Sequence, residues 1–221
     1  MRMILIGPPG AGKGTQGQLL IQRLQLTQIS TGGMLREAIA AGAPAGKKAE
    51  PFIKAGKLVP DEVVNALIAD YFQRDERPTR FVLDGYPRTV PQAVALDAVL
   101  RKHDLDLNAV VVLEVPDDEL IRRTSGRWIC PTDQTPYHLV NKPPIKAGVC
   151  DLCGSALIQR PDDREATVRK RVTDYHSQTE ELIPYYRTKG ILHQIPAIGS
   201  VEDIYQAIVQ AISEDRGEKV S

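Results

Sequence analysis

The chain has 221 residues, 42% apolar and 25% charged, a size and balance that suit one main globular domain carrying insertions. Its 28 Lys and Arg offset 28 Asp and Glu, and only 5% of residues are aromatic, so neither a basic field nor a set of stacking platforms exists for a nucleic acid. No apolar run approaches the roughly 20 residues that cross a bilayer, and Met1-Arg2 leads into an apolar run without a leader pattern, so the expectation is a cytoplasmic protein with no membrane partner.

The first strand is expected at Met3 to Ile6, followed by Gly7-Pro8-Pro9-Gly10-Ala11-Gly12-Lys13-Gly14-Thr15 and by a helical pattern at Leu19, Leu20, Ile21 and Leu24. Glycines between a strand and a helix let successive backbone N–H groups converge on an anion, the helix dipole adds its positive end, and Lys13 reaches outer phosphates. This order reads as a phosphate-binding loop for a nucleoside triphosphate. Gly14 stands where a hydroxyl residue usually follows the Lys, and the hydroxyl arrives at Thr15.

Residues 30–59, rich in Gly, Ala and Lys, read as small helices inserted into the core. After Pro60, the pairs Val63/Val64, Leu67/Ile68 and Tyr71/Phe72 step by four and predict a helix with one stripe toward a sheet. A second strand at Phe81 to Leu83 ends in Asp84, a position from which a carboxylate organises Mg²⁺ and its waters, although a turn-forming Asp before Gly85 has the same local pattern. Arg88 adds a planar cation suited to phosphate.

A further strand is expected at Val110 to Val115. Residues 127–163 then carry five prolines and all three cysteines, and read as a second insertion, either a closing lid or an inert decoration. Within it Cys130-Pro131-Thr132-Asp133 and Cys150-Asp151-Leu152-Cys153 form two x-x spaced pairs, the spacing of a closed structural zinc site; unmetallated reduced cysteines are the alternative, and a disulfide is disfavoured in a cytosolic enzyme. A helix from Arg164 sets Arg171 beside the stripe Val168, Val172 and Tyr175, so its charge faces inward, while Arg169 and Lys170 point away. Asp162 and Asp163 stand where the insertion would rejoin the core, either pairing with arginines when it closes or forming a solvated hinge. A last strand at Ile191 to Ile195 and a helix with Val201, Ile204, Ile208 and Ile212 complete the alternation. The fold expected is α/β, a P-loop parallel sheet flanked by helices.

Together, Gly7 to Gln16, Gln28-Ile29-Ser30-Thr31-Gly32, Ala55-Gly56-Lys57-Leu58-Val59, Leu83 to Thr89 and Asp162-Asp163 onward resemble the adenylate kinases over nearly the whole chain, in the long-lid, zinc-containing bacterial form. The resemblance implies a core of residues 1–29, 60–125 and 164–214, a small helical AMP-binding insertion at 30–59, a zinc-bearing lid at 126–163 and a disordered tail at 215–221. It implies that Gly10, Ala11, Gly12, Lys13, Gly14, Thr15, Arg127, Pro136, Tyr137 and Gly199 bind ATP. Thr31, Arg36, Lys57, Leu58, Val59, Gly85, Tyr86, Pro87, Arg88, Gln92, Arg160 and Arg171 would bind AMP, with Thr31 favouring AMP over UMP or CMP. Lys13, Asp84, Arg88, Arg123, Arg160 and Arg171 would carry catalysis, and Cys130, Asp133, Cys150 and Cys153 would hold structural Zn²⁺. The implied reaction moves the terminal phosphoryl group of MgATP onto AMP, giving two ADP, in a monomer. His103, His138, His176 and His193 have no part in it. The rivals are a kinase with another nucleotide preference and a zinc module using the loop as a switch. One departure is Gly33, where the family usually has an Asp thought to order water around Mg²⁺; Gly33→Asp is expected to keep or raise turnover.

Overall fold

In chain order the elements are β1 (Arg2–Ile6), α1 (Lys13–Leu24), β2 (Thr27–Ser30), α2 (Thr31–Ala40), α3 (Pro44–Lys54), α4 (Asp61–Gln73), β3 (Phe81–Asp84), α5 (Val90–Lys102), β4 (Ala109–Glu114), α6 (Asp117–Ser125), β5 (Arg127–Ile129), β6 (Pro136–His138), α7 (Glu165–Asp174), a π-helical turn (Tyr175–Thr179), α8 (Leu182–Arg187), β7 (Leu192–Pro196) and α9 (Val201–Glu214). This is a computed structural model, and it describes residues 1–133, 135–140, 142–159 and 163–214. The expectations for Arg160, Asp162 and the 215–221 tail lie outside the described residues.

Five strands form one parallel sheet in the order β2-β3-β1-β4-β7. Helices cover both faces, so a central strand must be apolar on every residue rather than on alternate ones. Strand β1 does this from Met3 onward: Ile4 and Ile6 enter one core with α4 and α5, while Met3 and Leu5 enter the other with α1, α7 and α9. The four-residue stripe of α4 buries Val64, Ile68 and Phe72, and Phe72 meets Phe81 edge to face at 5.3 Å. In α9 Ile204, Ile208 and Ile212 are buried, whereas Val201 sits exposed at its first turn.

Strand β2 has no counterpart among the sequence expectations. It is a four-residue edge strand in which only Ile29 is buried, so it lacks the apolar run that marks its neighbours. Its register against β3 nevertheless brings Ser30 level with Asp84, so β2 and β3 end together. Parallel sheets present their ligand sites at the carboxyl edge of the strands, and the loops after β1, β2 and β3 all leave from that edge.

Residues 127–159 build a separate small layer. Strands β5 and β6 pair antiparallel, with Arg127 opposite His138 and Trp128 opposite Tyr137, and single bridges join Ile129 to Ile158 and Val149 to Ala156. Among the described residues its apolar core is Cys130, Tyr137, Cys150 and Leu157 with Trp128 against them. Segments under about 40 residues seldom fold on so little apolar burial without a metal or a cross-link.

Candidate active site

The turn after β1 owes its shape to Gly10, whose φ is +89°; a Cβ there would lie 2.4 Å from Thr124 Oγ1 and 2.8 Å from the Leu120 carbonyl oxygen. No side chain fits, and the loop is thereby packed directly on α6. Gly12, also left-handed at φ 94°, caps α1, and Gln16 N donates to its carbonyl at 2.9 Å. Lys13, at the first position of α1, folds back over the loop and donates from Nζ to the carbonyls of Gly7 at 2.6 Å and Pro8 at 2.9 Å. Burial pushes its ammonium down to about 7; Asp84 opposes that fall, and Arg88, Arg171 and Arg127 add to it. A lysine held this way favours an incoming anion that restores its proton.

Ser30 caps α2 by accepting from Gly33 N, which directs Thr31 and Arg36 toward the loop after β3. Thr31 is buried, and its Oγ1 donates to the Gly85 carbonyl at 2.9 Å; Arg88 Nε donates to the same oxygen at 2.9 Å. Gly85 takes φ +80°, and a Cβ on it would press to 3.2 Å of Arg88 Nη2. The Gln92 amide is held at both ends, its Oε1 accepting from Arg88 N at 2.8 Å and its Nε2 donating to Asp61 Oδ1 at 2.7 Å, while Asp61 Oδ2 accepts from Thr89 Oγ1. These bonds fix the orientation of the amide and leave one Nε2 hydrogen and one Oε1 lone pair for a base edge. The Tyr86 side chain is buried away from the cleft with its hydroxyl 2.7 Å from Asn65 Oδ1, which leaves its backbone as the part available to a ligand.

One cleft gathers Lys13, Thr31, Arg36, Lys57, Leu58, Val59, Gly85, Pro87, Arg88, Gln92 and Arg171, with Leu35, Ile53 and Val64 supplying an apolar wall. Arg171 enters from α7 as the helical phase requires, and Tyr175 and Thr179 of the π-helical turn line the same space. That turn has no sequence signal. Asp84 accepts from Gln28 Nε2 at 3.3 Å and stands close enough to Lys13 to act on its charge.

The remaining arginines are held by carboxylates. Asp163, 1% exposed, accepts from Arg127 Nε at 2.7 Å and pairs with a second nitrogen of that guanidinium, and Arg171 Nη1 approaches it at 3.8 Å. Arg123 donates to Glu119 Oε1 at 2.6 Å and to the Ala197 carbonyl at 3.0 Å. Gly10, Ala11, Gly12, Gly14, Thr15, Arg123, Arg127, Pro136, Tyr137 and Gly199 lie outside the lining of the cleft that holds Arg88. The roles of Asp61 and Gln28 have no signal in the sequence because each acts on a partner that the local pattern does not reveal.

The ligand atoms of Cys130, Asp133, Cys150 and Cys153 all lie within 4.8 Å of one another. A tetrahedron with Zn–S near ~2.3 Å has edges of about 3.8 Å, so three thiolates and a carboxylate at these spacings fit zinc. Cys130 Sγ and Cys153 Sγ stand 3.3 Å apart, far beyond the ~2.05 Å of a disulfide. Asp133 Oδ1 accepts from Thr135 N at 2.8 Å, and hydrogen bonds from Thr135 hold this carboxylate well below its ordinary range and so ionised.

The family model described as adenylate kinase matches residues 5–191. The chain belongs to the adenylate kinase family. It is 48% identical to the adenylate kinase of Trichlorobacter lovleyi over 214 residues, covering 97% of this chain and all of that one. It is 49% identical to the adenylate kinase of Acidothermus cellulolyticus over 212 residues (96% and 98%), and 45% identical to that of Streptomyces avermitilis over 220 residues (99% and 100%). In this enzyme of the adenylate kinase family, no helix among the described residues is long and apolar enough to cross a membrane.

Gly33, the departure noted in the sequence, has room for a side chain: a Cβ would meet only Ser30 Cβ and Oγ, at 3.6 Å. As the third helical residue after Ser30, an Asp would face the positive end of the helix dipole. Gly33→Asp is expected to raise stability by about 0.5–1 kcal/mol, read as a higher Tm, while turnover is kept or raised. A large loss of turnover would contradict this view of the site.

Proposed function

We propose that the chain reversibly transfers the terminal phosphoryl group of MgATP to the phosphate of AMP, giving two ADP, and so balances the adenine nucleotides. The observation that carries this reading is the convergence of Lys13, Arg36, Arg88 and Arg171 on a single cleft between the glycine loop and residues 31–59. Two polyanions brought end to end need cations of this number and spread. The acceptor phosphate is already anionic, so no protein nucleophile and no essential general base is required; catalysis falls to alignment and charge stabilisation.

In this reading the glycine loop, Lys13, Gly14 and Thr15 hold the ATP phosphates, with Arg127, Pro136, Gly199 and the backbone of Tyr137 on the donor nucleotide. Thr31, Arg36, Lys57 to Val59, Gly85 to Arg88 and Gln92 hold AMP, Arg36 and Arg88 forking onto its phosphate. Arg123, Arg160 and Arg171 stabilise the transferring group. Mg²⁺, when bound, spreads the charge of the ATP phosphates, and Asp84 at the end of β3 is the carboxylate suited to hold it and its waters. Residues 30–59 serve as the acceptor cap and 126–163 as the lid, stiffened by zinc on Cys130, Asp133, Cys150 and Cys153. A coupled assay with ATP, AMP and Mg²⁺, run across a panel of donor and acceptor nucleotides beside elemental zinc analysis, tests this. ADP formed from ATP plus AMP supports it; none formed overturns it.

The depressed Lys13 gives a pH signature. Phosphates docked on Nζ favour the ammonium and raise its pKa above about 7, so binding takes up protons between the free and bound values. ATP affinity is therefore expected to be full below about pH 7 and to fall as pH rises beyond it. Calorimetry at pH 8 in two buffers of different ionisation heat should register net proton uptake; its absence would contradict the assignment.

A further inference from the structure

Tyr137 carries a feature that ATP binding does not use. It is the middle residue of β6, paired in register with Trp128, and its side chain is 4% exposed. The ring does not face the nucleotide cleft; it forms the centre of the small core with Cys130, Cys150 and Leu157. Its hydroxyl oxygen accepts from Asp151 N at 2.7 Å and lies 3.4 Å from Cys150 Sγ. A phenol has one proton. With the Asp151 N–H already donated to the oxygen, that proton points to the sulfur. Once Cys150 is a metal-bound thiolate it has no proton of its own, so the direction is forced: Tyr137 donates and Cys150 accepts.

We propose that Tyr137 is a positioning residue for the metal cluster, its hydroxyl donating to the Cys150 thiolate and so setting the metal affinity of the lid and tying metal occupancy to the β5–β6 hairpin. The proposal rests on the zinc reading of the four-residue cluster. The chemistry is general: a hydrogen bond to a ligating atom holds it in the orientation the metal needs and tempers its charge, and losing such a partner typically costs about 10- to 100-fold in metal affinity. The link to the hairpin is covalent and short. Tyr137 adjoins His138, which sits opposite Arg127 in the ladder, and Arg127 is anchored on Asp163 where the chain returns toward the core.

The test uses the full-length chain, Tyr137→Phe, and as a packing control Leu157→Ala, which loosens the same core but keeps the hydroxyl. Zinc affinity is measured by competition with a chromogenic chelator, and the site is also loaded with Co²⁺ to read the thiolate-to-metal charge-transfer band. A hydrogen bond lowers the energy of the sulfur lone pair, so its loss moves that band to longer wavelength. Expected for Tyr137→Phe is a fall of about 10- to 100-fold in zinc affinity together with a red-shifted cobalt band. Leu157→Ala should leave the band in place. Zinc affinity within twofold of the parent, or a weakened affinity with an unmoved band, overturns the hydrogen-bond role and leaves the zinc reading intact. A parent protein that takes up no stoichiometric metal overturns the site itself, and the proposal with it.

Discussion

Lys13→Ala is expected to lower turnover by about two to three orders of magnitude, the loss of about 2.7–4 kcal/mol that follows removal of one preorganised charge donor from a reacting centre. The geometry explains why no neighbour substitutes. Nζ is tethered to the carbonyls of Gly7 and Pro8, so its position is set before any ligand arrives and no reorganisation is needed during transfer. Its charge is also the most responsive in the cleft, because burial and three arginines hold it near the point of losing its proton, and phosphate oxygens reverse that balance. Arg88→Ala is expected to cost at least two orders of magnitude on the same grounds, since its guanidinium is fixed on the Gly85 carbonyl. Steady-state assay of the two variants decides the point: near-normal turnover in either would contradict the role given to that residue.

The second large effect is expected at Asp163. This carboxylate is buried and shared between Arg127, at the base of the β5–β6 hairpin, and Arg171, on the helix that lines the cleft. Cutting one partner from a buried pair leaves the rest desolvated without its counter-charge, at about 3–5 kcal/mol when the site is dry. Arg127 retains some water, so about 2–3 kcal/mol is expected for Asp163→Ala. That corresponds to a fall in Tm of about 5–10 °C for a chain of this size. Turnover should drop as well, by about a hundredfold, because two cations assigned to opposite ends of the reacting phosphates lose their shared reference point. Asp163→Asn, which keeps an acceptor but not the charge, should fall between the two. Thermal unfolding and turnover measured together separate the outcomes, and an unchanged Tm in Asp163→Ala would contradict the shared anchor.

The parts of the fold and site that were legible in the sequence are those written over short stretches. The glycine loop, the burial of β1 on both faces, the stripe of α4 and the inward phase of Arg171 each follow from spacing within one or two turns, where covalent geometry alone fixes which side chains share a face. Strand β2 was not legible because an edge strand with one buried residue has no periodicity to detect. Asp61 lies in the first turn of α4, and its bond to Gln92, 31 residues on, exists only once α4 and α5 pack side by side. The same holds for Tyr137. The family resemblance implied a nucleotide contact, and only the antiparallel pairing of β5 with β6 turns the phenol toward Cys150. Local order is readable because few conformations satisfy it, while contacts between elements wait on the packing of the whole.

In the proposed reaction two mononucleotides lie end to end across one cationic cleft and exchange a phosphoryl group there. Calorimetric titration of the purified chain with adenine nucleotides, and with an inhibitor made of two adenosines joined through an oligophosphate, tests it most directly. Two nucleotide sites per chain are expected, with the joined inhibitor binding more than about a hundredfold tighter than either half, because the second contact becomes intramolecular. A single nucleotide per chain, and a joined inhibitor no tighter than its halves, would contradict the account.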